Sequence, residues 1–326
     1  MKTLSNLRSN FVYAVVGTGA ILAFVPFVLS SSYLLQVLII VLLFVTLGVS
    51  WNLLGGYSGQ LSLGHAVFFG IGAYGVALLS KPLGQSPWLG LLAGAVLSLP
   101  LAAFVGYVCF RLRGPYFTLA TIALAEVIRL VVLNSVDLTG GAKGVTVRPL
   151  FKGVDKAPWY LLALGLAVFV VLVTYLITRS KLGYYLVAIR EDEDAAEAVG
   201  VDATGYKMVA LAISAFFTSV AGGFFASYLS FIEPDMVLSV ERSVEICLLA
   251  IIGGLGTILG PVVGALILGL AGEWFRTNLG QAHLLTYGVL LVAVIMFMPE
   301  GIVGTMKKAG QVIGKRLSEE RRRVTA

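Results

Sequence analysis

Apolar positions in this chain come in long runs, and polar positions are confined to the short stretches between them. A helix needs about 20 predominantly apolar residues to cross the hydrocarbon of a bilayer. Runs of that kind lie at 11–29, 33–54, 61–80, 88–110, 116–134, 159–178, 208–232 and 282–298. The region 243–272 is apolar as well, but GGLGTILGP breaks it in the middle, with Gly253, Gly254, Gly256, Gly260 and Pro261 close together. The first run, FVYAVVGTGAILAFVPFVLS behind Lys2 and Arg8, has the charge and apolarity of a signal peptide. Its length, and the spans that follow at once, predict an uncleaved first helix instead.

Loop charge orients these runs, because Lys and Arg collect on the cytoplasmic side. With Lys2 and Arg8 inside, Arg111 and Arg113 fall inside after four spans, and Arg179, Lys181 and Arg190 after six. The seventh span then exits near Glu233. A single crossing by 243–272 would deliver Lys307, Lys308 and Arg321 to Arg323 outside, so two shorter segments hinged at the glycines are expected there. The loop 135–158, placed outside, carries Lys143, Arg148, Lys152 and Lys156 and is a local exception to the rule. The expected fold is an all-α integral membrane protein, a polytopic helical bundle of about 8–10 transmembrane segments. Residues 1–306 form its membrane domain and 307–326 a basic tail, with both termini cytoplasmic.

Composition agrees: 58% of residues are apolar and 12% charged, against roughly 45–50% and 25% in soluble domains. No Asp or Glu precedes Glu126, whereas Glu191, Asp192, Glu193 and Asp194 stand in one run. The net charge of +6 comes with no basic stripe interleaved with aromatics, so nucleic acid is not an expected partner. The densest basic segment, KKAGQVIGKRLSEERRR, reads as an anchor at the inner face of the lipid. Cys109 and Cys247 lie in apolar runs and match no CxxC or disulfide framework, which makes them small core residues. Neither metal nor cofactor is expected.

The stretch GGYSGQLSLGH at 55–65 is an odd insertion between two apolar runs, because backbone polar groups in lipid must be satisfied from within. Gly55, Gly56, Gly59 and Gly64 allow a tight turn or a broken helix whose freed amides line a path. Gln60, Ser62 and His65 are then expected to satisfy backbone groups. A third reading is enzymatic: GYSG resembles the GxSG nucleophile motif of rhomboid intramembrane proteases, with Ser58 the nucleophile and His283 its partner. A faint echo links GGYSGQLSLGHAVFFG at 55–70 to GGLGTILGPVVGALILG at 253–269, as in transporters built from repeats with broken helices.

Within TLATIALAEVIRLVVL, Glu126 and Arg129 are neighbours at i and i+3. They form either a self-neutralising structural pair or a path-lining site for a zwitterionic solute. Glu245 and Glu273 flank the second break and carry the same pair of readings. An ion-coupled secondary transporter would rely on Glu126 and Glu245. Segment 179–208, RSKLGYYLVAIREDEDAAEAVGVDATGYKM, is too amphipathic to span, and its acids precede alanines as at the start of a short cytoplasmic helix.

Five segments together are similar to the permease subunits of branched-chain amino acid ABC importers. They are NLLGGYSGQLSLGHAVFFGIGAY, RLRGPYFTLATIALAEVIR, LTGGAKGV, AIREDEDAAEAVGVDATGYK and GGLGTILGPVVGA, in that order from about 33 to 300. The resemblance implies a type II importer permease fold in a bacterial inner membrane. It also implies a homologous second permease, two cytoplasmic ATP-binding subunits, and a periplasmic or lipid-anchored solute-binding protein. The ATPase would be gripped by the loop 179–207, at Arg190, Glu191, Glu193, Ala195, Ala196, Glu197, Ala198, Gly200 and Val201. Leucine, isoleucine and valine are the implied solutes, with urea or short amides the alternative within the family. No Walker GxxxxGK[ST] motif occurs, so ATP hydrolysis would come from the separate subunits.

Overall fold

The computed structural model describes residues 2–29, 31–80, 84–153, 155–279 and 301–306, with isolated positions between 288 and 296. Nearly all of the expected span 282–298, His283 and the tail 307–326 lie outside the described residues.

Among the described residues, six helices are long and apolar enough to cross a membrane, and two shorter apolar helices accompany them. The chain is a multi-pass helical membrane protein. In order, α1 is Lys2–Leu22, α2 Val25–Val28, α3 Ser32–Gly55, α4 His65–Ser80, α5 Pro87–Cys109 and α6 Pro115–Asn134. A short α7, Val136–Thr139, and a single 3-10 turn, Gly141–Lys143, lead to strand β1, Val145–Thr146. Then come α8 Ala157–Thr178, α9 Lys181–Glu191, α10 Glu193–Ala198, α11 Ala203–Leu229, β2 Phe231–Ile232, α12 Pro234–Leu238, α13 Val240–Gly253 and α14 Gly260–Leu279.

Helix starts follow local chemistry. Pro87 and Pro115 open α5 and α6, where a missing N–H costs nothing. Ser31, Asp192, Asp202 and Ser239 each accept a backbone N–H as the N-cap of α3, α10, α11 and α13.

Helices α3, α4 and α11 form the centre. The α11 helix packs along α4 and α5, while α3 packs against α8, α11, α13 and α14. Close approach of α4 and α11 rests on small residues, as in membrane helix pairs generally. A methyl group on Gly72 would overlap the Ser219 carbonyl, and one on Gly222 the Phe69 carbonyl. Apolar side chains such as Ile39, Leu47, Trp51, Phe69, Tyr160 and Phe224 fill the core. By contrast α6 buries little beyond Phe117, Thr121 and Ala125, and its outer face presents Leu119, Val127 and Val131.

Two expected spans shift their bounds. The run 61–80 becomes helix only from His65, because Leu61 and Leu63 are held by hydroxyls of α6: Thr118 Oγ1 donates to Leu61 O and Leu63 N donates to Thr121 Oγ1. The run 208–232 begins earlier, at Ala203, since the Asp202 cap extends the helix into polar sequence, and it stops at Leu229. There Ser230 turns left-handed (φ 61°) and Phe231–Ile232 pair antiparallel with Val145–Thr146, which ties the expected outer loop to the end of α11. Segment 179–208 holds the expected short helix with acids in its first turn, α10, and a further helix, α9, precedes it up to the Asp192 cap. The apolar region 243–272 does divide at the glycines, into α13 and α14.

Candidate functional site

Both glycine breaks lie at helix ends, and the fold brings them into contact. Gly55 is the last residue of α3 and Gly253 the last of α13. Beyond them, a methyl on Gly56 would collide with the Asn52 side chain and with the backbone nitrogen of Gly256. Asn52, one turn back on α3, joins the two breaks: its Oδ1 accepts from Gly256 N at 3.0 Å and its Nδ2 donates to Thr257 O at 2.8 Å. Thr257 in turn donates to Gly254 O and accepts from Gly260 N, bridging the end of α13 to the start of α14.

Arg190, in the last turn of α9, reaches the same junction. Its Nη1 donates to the Gly56 carbonyl at 3.1 Å, and Nε and Nη2 both donate to Glu191 Oε1, at 3.2 and 2.6 Å. Gly59 is left-handed (φ 74°), and a side chain there would press on Arg190 Cγ; one on Gly256 would meet the guanidinium. Three separate stretches of sequence, around 56, 190 and 256, thus share one contact.

The expected backbone role of the polar residues in 55–65 falls elsewhere in part. Ser62 Oγ accepts from Gly64 N. The imidazole of His65 is fully buried and bonds two hydroxyls instead, Ser62 at 3.1 Å through Nδ1 and Ser214 of α11 at 2.8 Å through Nε2. Gln60 bonds Leu54 O through its backbone N–H. Trp51 Nε1 donates to Ser62 O, and Thr118 and Thr121 hold Leu61 and Leu63. The satisfying groups therefore come mainly from α3 and α6. Gly64 lies against the Thr121 carbonyl, where a methyl would sit 2.9 Å away. Ser58 is buried and donates to Leu54 O at 2.6 Å, one turn back in its own chain; its supposed partner His283 lies outside the described residues.

In segment 179–207 the acids are already paired within the chain. Glu191, Glu193, Asp194 and Glu197 are engaged by Arg190, Lys207 and Arg113, while Asp192 and Asp202 cap the helices that follow them. Arg113, before α6, bonds Asp194 at 2.6 Å and lies 3.8 Å from Glu197. Its pKa stands above the ordinary guanidinium value because Asp194 accepts its hydrogen bond. Lys207 of α11 is only 1% exposed and bonds Glu193 at 2.7 Å, with Phe110 beneath its ammonium. Exposed beside the carboxylates of Glu191, Asp192, Asp194 and Glu197 are the small or apolar Ala195, Ala198, Gly200 and above all Val199, at 81%. Ala196 is buried and, with Ile189 and Ala203, forms a small core under Val201.

Glu126 and Arg129 form a bidentate pair of 2.9 and 2.6 Å. Glu245 is likewise paired to Arg242, one turn away, and Glu273 accepts from Tyr33 at 3.2 Å. Asn52, Arg113 and Lys207 were not among the expected residues. The signals existed: an Asn one turn before a glycine pair, and a lone lysine inside an otherwise apolar helix.

A bundle of spanning helices with two touching backbone breaks, and a braced non-spanning segment bonded to one and packed against the other, is the build of a transport permease. Residues 33–299 match the family described as branched-chain amino acid transport system / permease component, and the chain belongs to that family. It is 29% identical over 323 residues to the high-affinity branched-chain amino acid transport system permease protein LivM of Salmonella typhimurium, covering 89% of this chain and 75% of the relative. The LivH permease protein of that system in Escherichia coli K12 is 24% identical over 283 residues, 79% of this chain and 90% of the relative. A probable LivM of Methanocaldococcus jannaschii is 20% identical over 312 residues, 80% and 90% respectively. No solved structure matches the chain.

Proposed function

We propose that this permease imports branched-chain amino acids as one of two homologous membrane subunits. Two cytoplasmic ATP-binding subunits drive it, and an extracytoplasmic binding protein delivers the solute. Segment 179–207 is the grip for the ATP-binding subunit, and both termini are cytoplasmic. The observation that carries this reading is the bond of Arg190 to Gly56, since it links a non-spanning segment directly to backbone breaks inside the bundle. Ala195, Ala198, Val199 and Gly200 offer a low-relief contact beside the exposed carboxylates of Asp194 and Glu197, while Arg113 and Lys207 hold that surface in place. Force applied to α10 would pass through α9 to the two breaks, around which the flanking helices rock.

Glycines at the breaks suit this role because they let backbones meet and reorganise without side-chain collision. The test is to purify the chain with co-expressed partner subunits and reconstitute it in vesicles with the binding protein. ATP hydrolysis coupled to leucine uptake is the expected result. A chain that moves leucine alone, driven by an ion gradient, or that cleaves a membrane substrate through Ser58, would overturn the reading.

A further inference from the structure

Four charged residues outside the coupling region meet at one cavity of about 410 Å3, lined by Glu126 and Arg129 of α6, Asp235 of α12, and Ser239, Val240 and Glu241 at the start of α13. Its volume lies within the range of small-molecule sites, roughly 300–1,000 Å3. Arg129 lies about 20 Å along α6 from the first turn of that helix, beside which Arg113 meets Asp194. The cavity is therefore remote from segment 179–207.

Three carboxylates line it against one guanidinium, an excess of two negative charges. The guanidinium is positioned and still has capacity. Glu126 grips it on two nitrogens and Asp235 takes a third donor, which leaves two of its five N–H groups open. Arg129 and Glu126 are half-buried, whereas Asp235 is 67% exposed and free to exchange partners. A further polar group waits nearby: the Tyr74 side chain, 6% exposed, has a buried hydroxyl with no hydrogen-bond partner among the described residues, and Asp235 and Glu233 are the charges acting on it. Helix α4, which carries Tyr74, packs on α12. Among the described residues no group of three or more His, Cys, Asp or Glu is placed to hold a metal ion, so the carboxylates here do not form a cation cage.

We infer that this cavity receives the zwitterionic head of the transported amino acid, its α-carboxylate on Arg129 and its α-ammonium on Asp235 and Glu241. The inference rests on the proposed solute class and adds the site to it. Glu126 is a positioning residue, which keeps the guanidinium fork in one orientation while Asp235 moves from arginine to ammonium. A carboxylate meets a planar arginine fork better than a lysine point charge.

The experiment uses the full transporter in vesicles, with Val240→Cys in this chain as a reporter. Cys109 and Cys247 are buried, which leaves position 240 to the reagent. A cationic thiosulfonate should label it at least fivefold faster than an anionic one, and excess leucine should slow labelling at least threefold while 4-methylpentanoate, which lacks the ammonium, does not. Asp235→Asn and Arg129→Lys should each lower leucine uptake about tenfold with ATP hydrolysis retained. Unchanged uptake in both variants, or equal protection by leucine and 4-methylpentanoate, overturns the site while leaving the transporter reading intact. A wild-type complex that hydrolyses ATP and imports no amino acid overturns the solute reading, and the site with it.

Discussion

Arg190 donates its Nη1 hydrogen to the carbonyl oxygen of Gly56 at 3.1 Å, across 134 residues of sequence. The carbonyl belongs to Gly56, the C-cap just beyond α3, and the guanidinium to the last turn of α9, outside the spanning set. The same guanidinium fills the space that a side chain on Gly256 would need. One cation thus touches both breaks, while Asn52 bonds them to each other.

Replacing that cation should separate ATP hydrolysis from transport. Arg190→Ala removes the tie without disturbing the exposed surface around Val199, so the ATP-binding subunits should still bind and turn over while uptake falls at least tenfold. Arg190→Lys keeps the charge but lacks the planar fork that serves Gly56 and Glu191 together. Uptake should be intermediate. Parallel measurement of ATPase rate and leucine uptake in vesicles decides this, and an Arg190→Ala transporter with normal uptake would show the contact to be incidental.

Asn52 is expected to matter for stability before it matters for rate. Its truncation to Ala leaves Gly256 N–H and Thr257 C=O without their partner, at a cost of about 2–4 kcal/mol for the two groups together. Gly56→Ala should be as damaging, because the new methyl collides with Asn52 and the Gly256 backbone. Gly165→Ala on α8 is the control: nothing lies within 4 Å of the added methyl, and a helical glycine gains from the exchange. Thermal unfolding in detergent should rank Gly165→Ala at or above wild type and the other two well below it.

The spanning helices were legible because apolar run length is nearly sufficient to define them. The division of 243–272 was legible too, since clustered glycines and Pro261 do not continue a helix smoothly. What the pattern did not contain is who touches whom. Leu61 and Leu63 look like the start of a span, yet the hydroxyls of Thr118 and Thr121, nearly 60 residues later, bond them outside the helix. Glu193, Asp194 and Glu197 look like a free anionic face, yet their partners Lys207 and Arg113 come from two distant parts of the chain. Periodicity is local, and these pairings are not. Asn52 shows the same limit: its distance of one turn from Gly56 was visible, but its bonds to Gly256 and Thr257 depend on two helix ends meeting.

The pairing of Lys207 with Glu193 supplies a test of how the segment is held. An ammonium 1% exposed is tolerable only with its partner, and Glu193 keeps 21% of its side chain in solvent, so the cost of breaking the pair falls below the range for fully buried ones. Glu193→Gln should destabilise α10 by about 1–3 kcal/mol and speed proteolysis of segment 191–202, as it leaves a buried charge. The double variant Glu193→Gln with Lys207→Met should recover much of that loss, because neither partner then carries a charge. Limited proteolysis of the assembled complex reads both effects.

Val199 decides whether the apolar surface of the segment is a contact or a bare loop. A branched apolar side chain 81% exposed, next to a left-handed Gly200 (φ 88°) and the exposed Ala195 and Ala198, is poor design for a face that stays in water. It suits a face covered by a partner, where small residues permit close approach and one larger side chain fills a recess. Val199→Asp leaves the bonds of Arg113, Arg190 and Lys207 untouched, so the chain itself should fold and insert normally. Burying that carboxylate against an apolar recess costs several kcal/mol, enough to abolish co-purification of the ATP-binding subunit while the second permease still assembles. Val199→Ala, which only removes contact area, should weaken the association about tenfold or less. Retention of the ATP-binding subunit at wild-type levels by Val199→Asp would mean that docking uses another face.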